Sequence, residues 1–373
     1  IGIDGITLEG GGQLVRIALG LSALTAIPIH ISNIRGKRPR GGGLKQQHLS
    51  AVKWLAQCCS AEMGGAENKS KHLEFIPSQD KTVGSIDVSW PSEIDIGGAG
   101  SIGLVFQAIL PYILFRTRPG AGGHGNQVHV TIKGGTNTSF SPSYDYIAQV
   151  LLPTLEKIGI PHIRASLDRR GWSTGPIDIG GVTFSITPFA EGGFLRPFDL
   201  KDRGDIVRFE ARAIIPRDCE ARFREELNEG ITRLSKEDAE VDLDVQVEES
   251  GHRTRLYFLL VAVSENGYRL GRDWLYDHKI KDAGVAISKL VKQVTKELRQ
   301  ELYHGGCVDE YMRDQLVVFQ ALSKGTSRVD VGRSSNGEPV PASLHTETAE
   351  WVAAKLLAAE FDDHGMCRGR GYV

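Results

Sequence analysis

Residues 94–103, Ile94-Asp95-Ile96-Gly97-Gly98-Ala99-Gly100-Ser101-Ile102-Gly103, run from a strand-like segment into the helical pattern LVFQAILPYILF. Gly98, Gly100 and Gly103 spell GxGxxG, so this stretch decides between a dinucleotide-binding sheet and something else. A dinucleotide fold wants a carboxylate about 20 residues on, to hold the ribose hydroxyls. From Gly97 to Tyr144 there is no Asp or Glu; the next carboxylate is Asp145. The glycines therefore read as a close backbone turn that frees N–H groups at a helix N-terminus. No GxxxxGK[ST] occurs either, which removes the P-loop class.

The same grammar appears three times. Gly10 to Gly12 lead into a helix striped at Leu14, Ile17, Ala18 and Leu21, then a strand alternating Ile27, Ile29, Ile31, a basic loop GKRPRGGG and a helix from about His48 to Cys59. IDIGGAGSIG leads into LVFQAILPYILF, the strand VHVTI, the loop GGTNTSFSP and the helix YDYIAQVLLPTLEKIG. HGG at 304–306 leads into VDEYMRDQLVVFQAL, the strand SRVDV, a long loop and the helix HTETAEWVAAKLL. LEFIP and SIDVSW supply further strands. The expected class is α+β: repeated βα subdomains, each a sheet backed by two helices, around a common axis.

Between about Ala190 and Lys281 the grammar changes to DIVRFEARAII, ARFREELNEGITRLS, VDLDVQVEE and RLYFLLVAV. Residues 190–281 are read as a small inserted α/β domain, and 1–189 with 282–373 as the main domain.

The bulk numbers exclude several classes. The 373 residues carry a formal net charge of −2 and contain no run of about 18 apolar residues to span a membrane. No secretory leader is visible, and five cysteines (Cys58, Cys59, Cys219, Cys307, Cys367) without CxxC spacing suit a reducing intracellular compartment. The distribution of charge says more than the total. From Gly10 to Ala61 there is no acid, but Arg16, Arg35, Lys37, Arg38, Arg40, Lys45 and Lys53 are all present. Cations without internal neutralisation suit a polyanion.

Candidate site residues follow. Gln13 and Arg16 lie three apart on one helix face, away from the Leu14, Ile17, Leu21 stripe, and are expected to be free for a ligand. Glu9, just before the helix, suits a cap or a hard cation. Gln107 stands in an otherwise apolar helix, and Asp314-Gln315 stand at the matching place in the third unit, so these helices are expected to converge on one polar site. His345 opens the last helix, where the positive dipole end favours neutral imidazole. A neutral ring nitrogen can attack phosphorus if a cation neutralises the leaving phosphates.

Together, LEGGGQLVR, IRGKR followed by QHL, GGAGSIGLVFQAILP, GGTN with SP after it, VDEYMRDQL and SLHTETA resemble, in order and over nearly the whole chain, the RNA 3′-terminal phosphate cyclases. The resemblance implies enolpyruvyl-transferase-like repeats plus an inserted domain. It implies ATP, a divalent metal (Mg²⁺ or Mn²⁺) and an RNA 3′-phosphate as reactants, a 2′,3′-cyclic phosphate as product, and a covalent histidine adenylate on the way. It implies His345 as nucleophile and Glu9 as metal carboxylate. Gln107, Pro142, Tyr311, Asp314 and Gln315 fall to the nucleotide, and Gln13, Arg16, Arg35, Arg38, Gln47 and His48 to the RNA end. No membrane or DNA partner is expected, and the HTETA form favours the nucleus. The alternative is a catalytically inactive cyclase-like factor that binds pre-ribosomal RNA or ribosome-assembly partners. Loss of the histidine and of the acidic-glycine opening would mark that branch, and this chain has both. An enolpyruvyl-type transferase would share only the architecture.

Overall fold

The computed structural model describes residues 1–38, 41–79, 90–116, 127–234 and 241–372. Strand β1 (Gly2–Asp4) leads into helix α1 (Gly12–Thr25), then β2 (Ile29–Ser32), α2 (Gln46–Cys59), β3 (Glu62–Gly64) and β4 (Leu73–Ile76). These strands form one sheet in the order β1-β2-β4-β3, with β1 parallel to β2 and the other pairs antiparallel. Ile3 stands opposite Ile31 and Ile29 opposite Phe75, so the alternating apolar positions face the core.

A second sheet follows from β5 (Glu93–Asp95), α3 (Ile102–Phe115), β6 (Val128–Gly134), α4 (144–157, with a π-helical turn at Ile147–Leu151), β7 (Ile163–Arg169) and β8 (Gly180–Ile186). Its order is β5-β6-β8-β7, with the same senses as the first sheet.

Strand β9 (Asp199–Leu200) precedes a different block: β10 (Ile206–Ile215), α5 (Glu220–Leu234), β11 (Asp242–Glu249), β12 (Tyr257–Ser264), β13 (Arg269–Leu275) and α6 (Ala283–His304). The sheet β11-β10-β12-β13 has one parallel pair, and every residue of β12 is buried. Both α5 and α6 are amphipathic; they pack on each other, and α6 covers β12 and β13.

The chain then resumes with α7 (Glu310–Leu322), β14 (Lys324–Val329), α8 (Leu344–Leu357), β15 (Glu360–Phe361) and β16 (Met366–Arg370). Here β9 runs parallel to β14, and β14-β16-β15 are antiparallel, giving a third sheet of the same order and sense as the first two. The molecule is thus mixed α+β, with four small sheets and eight helices among the described residues.

Contacts cross the expected limits of the inserted block. Asp199–Leu200, inside 190–281, pairs with β14, while Ala283–His304, outside it, packs on β12 and β13. Composition changes near 190, but strand pairing and helix burial do not follow composition. The expected strand SIDVSW lies outside the described residues except for Trp90. The strand entering 94–103 is Glu93–Asp95.

Helix α1 is central to the core and touches α2, α3 and α8. It crosses α3 where Gly20 meets Ala108; a Cβ on Gly20 would lie 2.6 Å from the Ala108 carbonyl oxygen. Phe106 of α3 stacks on Phe184 of β8 at 4.0 Å, fixing that helix on the second sheet.

Candidate active site

The turn before α1 is held in a shape that aims its polar groups. Leu8 and Gly10 have φ of 51° and 63°, the left-handed region that glycine enters readily and leucine does not. The Glu9 N–H donates to Thr348 Oγ1 of α8 at 3.1 Å, and the Glu9 carboxylate folds back over Gly11, where any side chain would collide with it. Arg38 pairs with Glu9 Oε1, while Oε2 is buried with no hydrogen-bond partner among the described residues. An orphaned, buried carboxylate oxygen is costly unless something cationic meets it.

From α1, Gln13 reaches two other helices. Its Nε2 donates to Asp314 Oδ2 of α7 at 2.9 Å, and His345 Nδ1 of α8 lies 2.7 Å from its Oε1. Gln315 Nε2 donates to the other Asp314 oxygen at 2.7 Å. An amide oxygen only accepts, so His345 Nδ1 must carry the proton, and neutral His345 keeps its lone pair on Nε2. His345 itself is exposed, two residues after Ser343, whose side chain caps α8. Gln13, expected on a free face, is buried. It faces the third unit because α1 lies against α8.

The basic residues gather beside this chain. Burial, with repulsion from Arg35 and Arg38 working against the pull of Asp314 and Glu9, brings the Arg16 guanidinium down to about 10. Arg35 is lowered by burial and by Arg38, and its Nη1 donates to the Gly43 carbonyl at 3.1 Å. Lys45 is lowered by burial, Arg35 and Arg38, and Lys37 lies over Gly10, donating to the Leu8 carbonyl at 2.9 Å. Crowded, partly desolvated cations are stabilised by an incoming anion.

His48 is 2% exposed, and its Nδ1 accepts from the Lys45 N–H at 3.1 Å. Burial and the neighbouring Arg16, Arg35 and Lys45 hold it well below the usual imidazole range. It is therefore neutral, with its proton on Nε2, which points toward Gly12 beside Arg16. Gln47 is already engaged: its Oε1 accepts from the Ser101 N–H at 3.0 Å, tying α2 to the start of α3.

A small cavity of about 40 Å³ closes the floor, lined by Gln13, Arg16, Gln107, Asp314 and Gln315 among apolar neighbours. It has room for water rather than a base. Gln107 Nε2 is buried there with no hydrogen-bond partner among the described residues. Burial lifts Asp314 to about 7, against hydrogen bonds from Gln315 and Gln13 and the charge of Arg16. Pro142 and Tyr311 stand apart from this floor. The Pro142 carbonyl packs on Gly103 in the first turn of α3, and Tyr311 stacks edge-on with Tyr146 at 6.2 Å under the Arg272 guanidinium.

No group of three or more His, Cys, Asp or Glu able to cage a metal occurs among the described residues. Glu9, with its free buried oxygen, fits the other mode, in which Mg²⁺ is held by one or two carboxylates plus substrate phosphates.

Comparison with known proteins places the chain. The family profile described as RNA 3′-terminal phosphate cyclase matches residues 7–362. The chain belongs to the RNA 3′-terminal phosphate cyclase family. Relatives named RNA 3′-terminal phosphate cyclase include one from Korarchaeum cryptofilum, 32% identical over 97% of this chain and 93% of its own length. The relative of that name from Pyrococcus abyssi is 32% identical over 100% of this chain and 98% of its own, and the one from Desulfurococcus amylolyticus 34% over 88% and 86%.

Within this cyclase-family chain, sequence reasoning missed Thr348 and the join between Gln13 and Asp314. Thr348 was signalled only as a polar residue one turn past His345 in HTETA. The Gln13 join spans 301 residues and leaves no local pattern.

Proposed function

We propose that the protein converts an RNA 3′-phosphate into a 2′,3′-cyclic phosphodiester at the expense of ATP, through an adenylate on His345. The observation that carries this reading is the chain from Asp314 through Gln13 to His345. It leaves one nucleophilic nitrogen exposed beside a crowded cluster of partly desolvated cations.

The chemistry follows from that arrangement. His345 Nε2 attacks the α-phosphorus; a P–N bond forms and the bond to pyrophosphate breaks. The ring becomes a phosphoimidazolium that keeps its Nδ1–H on Gln13 Oε1, and Asp314 behind Gln13, where ionised, offsets the new positive charge. An oxygen of the RNA 3′-phosphate then takes the adenylyl group and frees His345. The neighbouring 2′-hydroxyl attacks the RNA phosphorus, releasing AMP and giving its proton to solvent.

Arg16, Arg35 and Arg38 hold the RNA terminal phosphate, with neutral His48 donating from Nε2. Gln107 and Gln315 anchor the nucleotide from below, and Pro142 and Tyr311 flank its base. A divalent cation at Glu9 would supply charge neutralisation for the triphosphate. We also read the three sheets of identical order as copies of one βαβαββ unit around a common axis, with the β10–β13 block inserted in the third.

The test uses α-labelled ATP with metal and no RNA. The protein should retain acid-labile label, and His345→Ala should abolish it. Absence of label, or label that survives this substitution, would overturn the reading.

A further inference from the structure

Another flank of α7 opens on a second and larger space. Asp314 and Gln315 line the small cavity, whereas Asp309, Glu310 and Arg313 line a cleft of about 750 Å³ between α6 and the segment 331–343. That volume lies within the roughly 300–1,000 Å³ that encloses a molecular ligand rather than an ion. The cleft reaches Ser343, the cap of the helix that carries His345.

Its α6 wall has a specific composition. Lys296, Arg299, Gln300 and Tyr303 fall at i, i+3, i+4 and i+7, on one face, and all four are exposed. Tyr303 is 72% exposed, an uncommon state for so large a ring. Among the described residues neither Lys296 nor Arg299 forms an ion pair, while the cleft carboxylates Glu301 and Glu310 are both taken by Arg272. Opposite, Arg313 donates to the carbonyls of Val340 at 2.8 Å and Pro341 at 3.1 Å, holding the other wall in place. Free cations interleaved with an exposed aromatic match the needs of single-stranded RNA: charge for phosphates and a flat face for a base.

We propose that this cleft binds the single-stranded RNA tract just upstream of the 3′-phosphate end, with phosphates on Lys296 and Arg299 and a base stacked on Tyr303. The proposal rests on the cyclase reading above, since it takes RNA as the substrate.

The test is fluorescence anisotropy with 5′-labelled, 3′-phosphorylated oligouridylates of two, four and eight nucleotides, alongside RNA-free adenylation. The native protein should bind the longest oligomer most tightly. Lys296→Ala, Arg299→Ala and Tyr303→Ala should each weaken that binding, Tyr303→Ala by about tenfold from lost stacking. The two cation changes together should flatten the salt slope by about 1.4. All three should leave adenylation and dinucleotide binding unchanged, and Tyr303→Phe should retain the stack. Length-independent binding by the native protein, unchanged length dependence in the variants, or equal binding of duplex RNA would each overturn the proposal. Because adenylation uses no RNA, its loss in the native protein would instead overturn the cyclase reading.

Discussion

Gln13 Oε1 lies 2.7 Å from His345 Nδ1, and this contact between residues 332 positions apart decides which imidazole nitrogen is free. Where Asp314 is ionised, above about pH 7, it settles the orientation of the Gln13 amide, because a carboxylate accepts only from its NH₂ end. Substituting Gln13→Ala should slow adenylation by about 10- to 100-fold, in the range seen when a ring loses its orienting partner. Gln13→Glu should do more than slow it. A carboxylate against Nδ1 favours imidazolium, so the acid limb of the adenylation pH profile should move to higher pH. Single-turnover adenylation across pH checks this, and an unmoved limb would show that Gln13 does not set the ring's protonation.

Arg35 and Arg38 sit in a cradle where burial and mutual repulsion already lower Arg35. For an RNA 3′-phosphate, Arg35→Ala should raise Kd and reduce the slope of log K against log salt by about 0.7, the single-strand value per phosphate. The loss should be uniform across RNA sequences, because phosphate contacts carry no base information. Arg38→Ala should show the same slope change and also free Glu9 Oε1 from its ion pair. Kd measured over a salt series for several 3′-terminal bases would refute this if the loss depended on the base.

Asp314 titrates at about 7 in the fold, mainly from burial, against an ordinary 3.8. The folded protein therefore holds this proton more tightly than the unfolded chain. Its contribution to stability is fully present below about 3.8 and is lost as pH rises through about 7. Three pKa units set an upper bound of about 4 kcal/mol on that loss. Asp314→Asn cannot ionise, so its urea midpoint should fall less than the native protein's between about pH 5 and about pH 8. Equal falls in both proteins would contradict the assignment.

Gly20 marks the crossing of α1 and α3, where a Cβ would come within 2.6 Å of the Ala108 carbonyl oxygen. Backbone cannot yield as a flexible side chain does, so Gly20→Ala should destabilise the fold by about 1–3 kcal/mol, despite its better helix propensity. Chemical denaturation measures it, and a neutral or stabilising result would mean that the two helices separate freely.

Legibility in the sequence followed distance along the chain. The helices after Gly10–Gly12, after 94–103 and after Asp309, and the strands VHVTI and LEFIP, stand close to where periodicity and capping residues put them. Short pairing strands such as Gly2–Asp4 and Asp199–Leu200 were illegible, because so few residues hold no period. They exist because a neighbouring strand offers hydrogen bonds. The Gln47 amide oxygen accepts from the Ser101 N–H, a pairing that local pattern does not encode.

By itself the sequence determined the alternation of helices and strands, the acid-free basic stretch and the helix-opening position of His345. Each is a matter of local propensity, spacing or composition. Only the tertiary structure decided that Gln13 is buried, that Asp314 orients it, and that His345 therefore presents Nε2. Those residues meet through the packing of α1 against α8 and of α8 against α7. Hydrogen-bond direction between distant side chains is a property of that packing, and it selects the nitrogen on which the proposed chemistry turns.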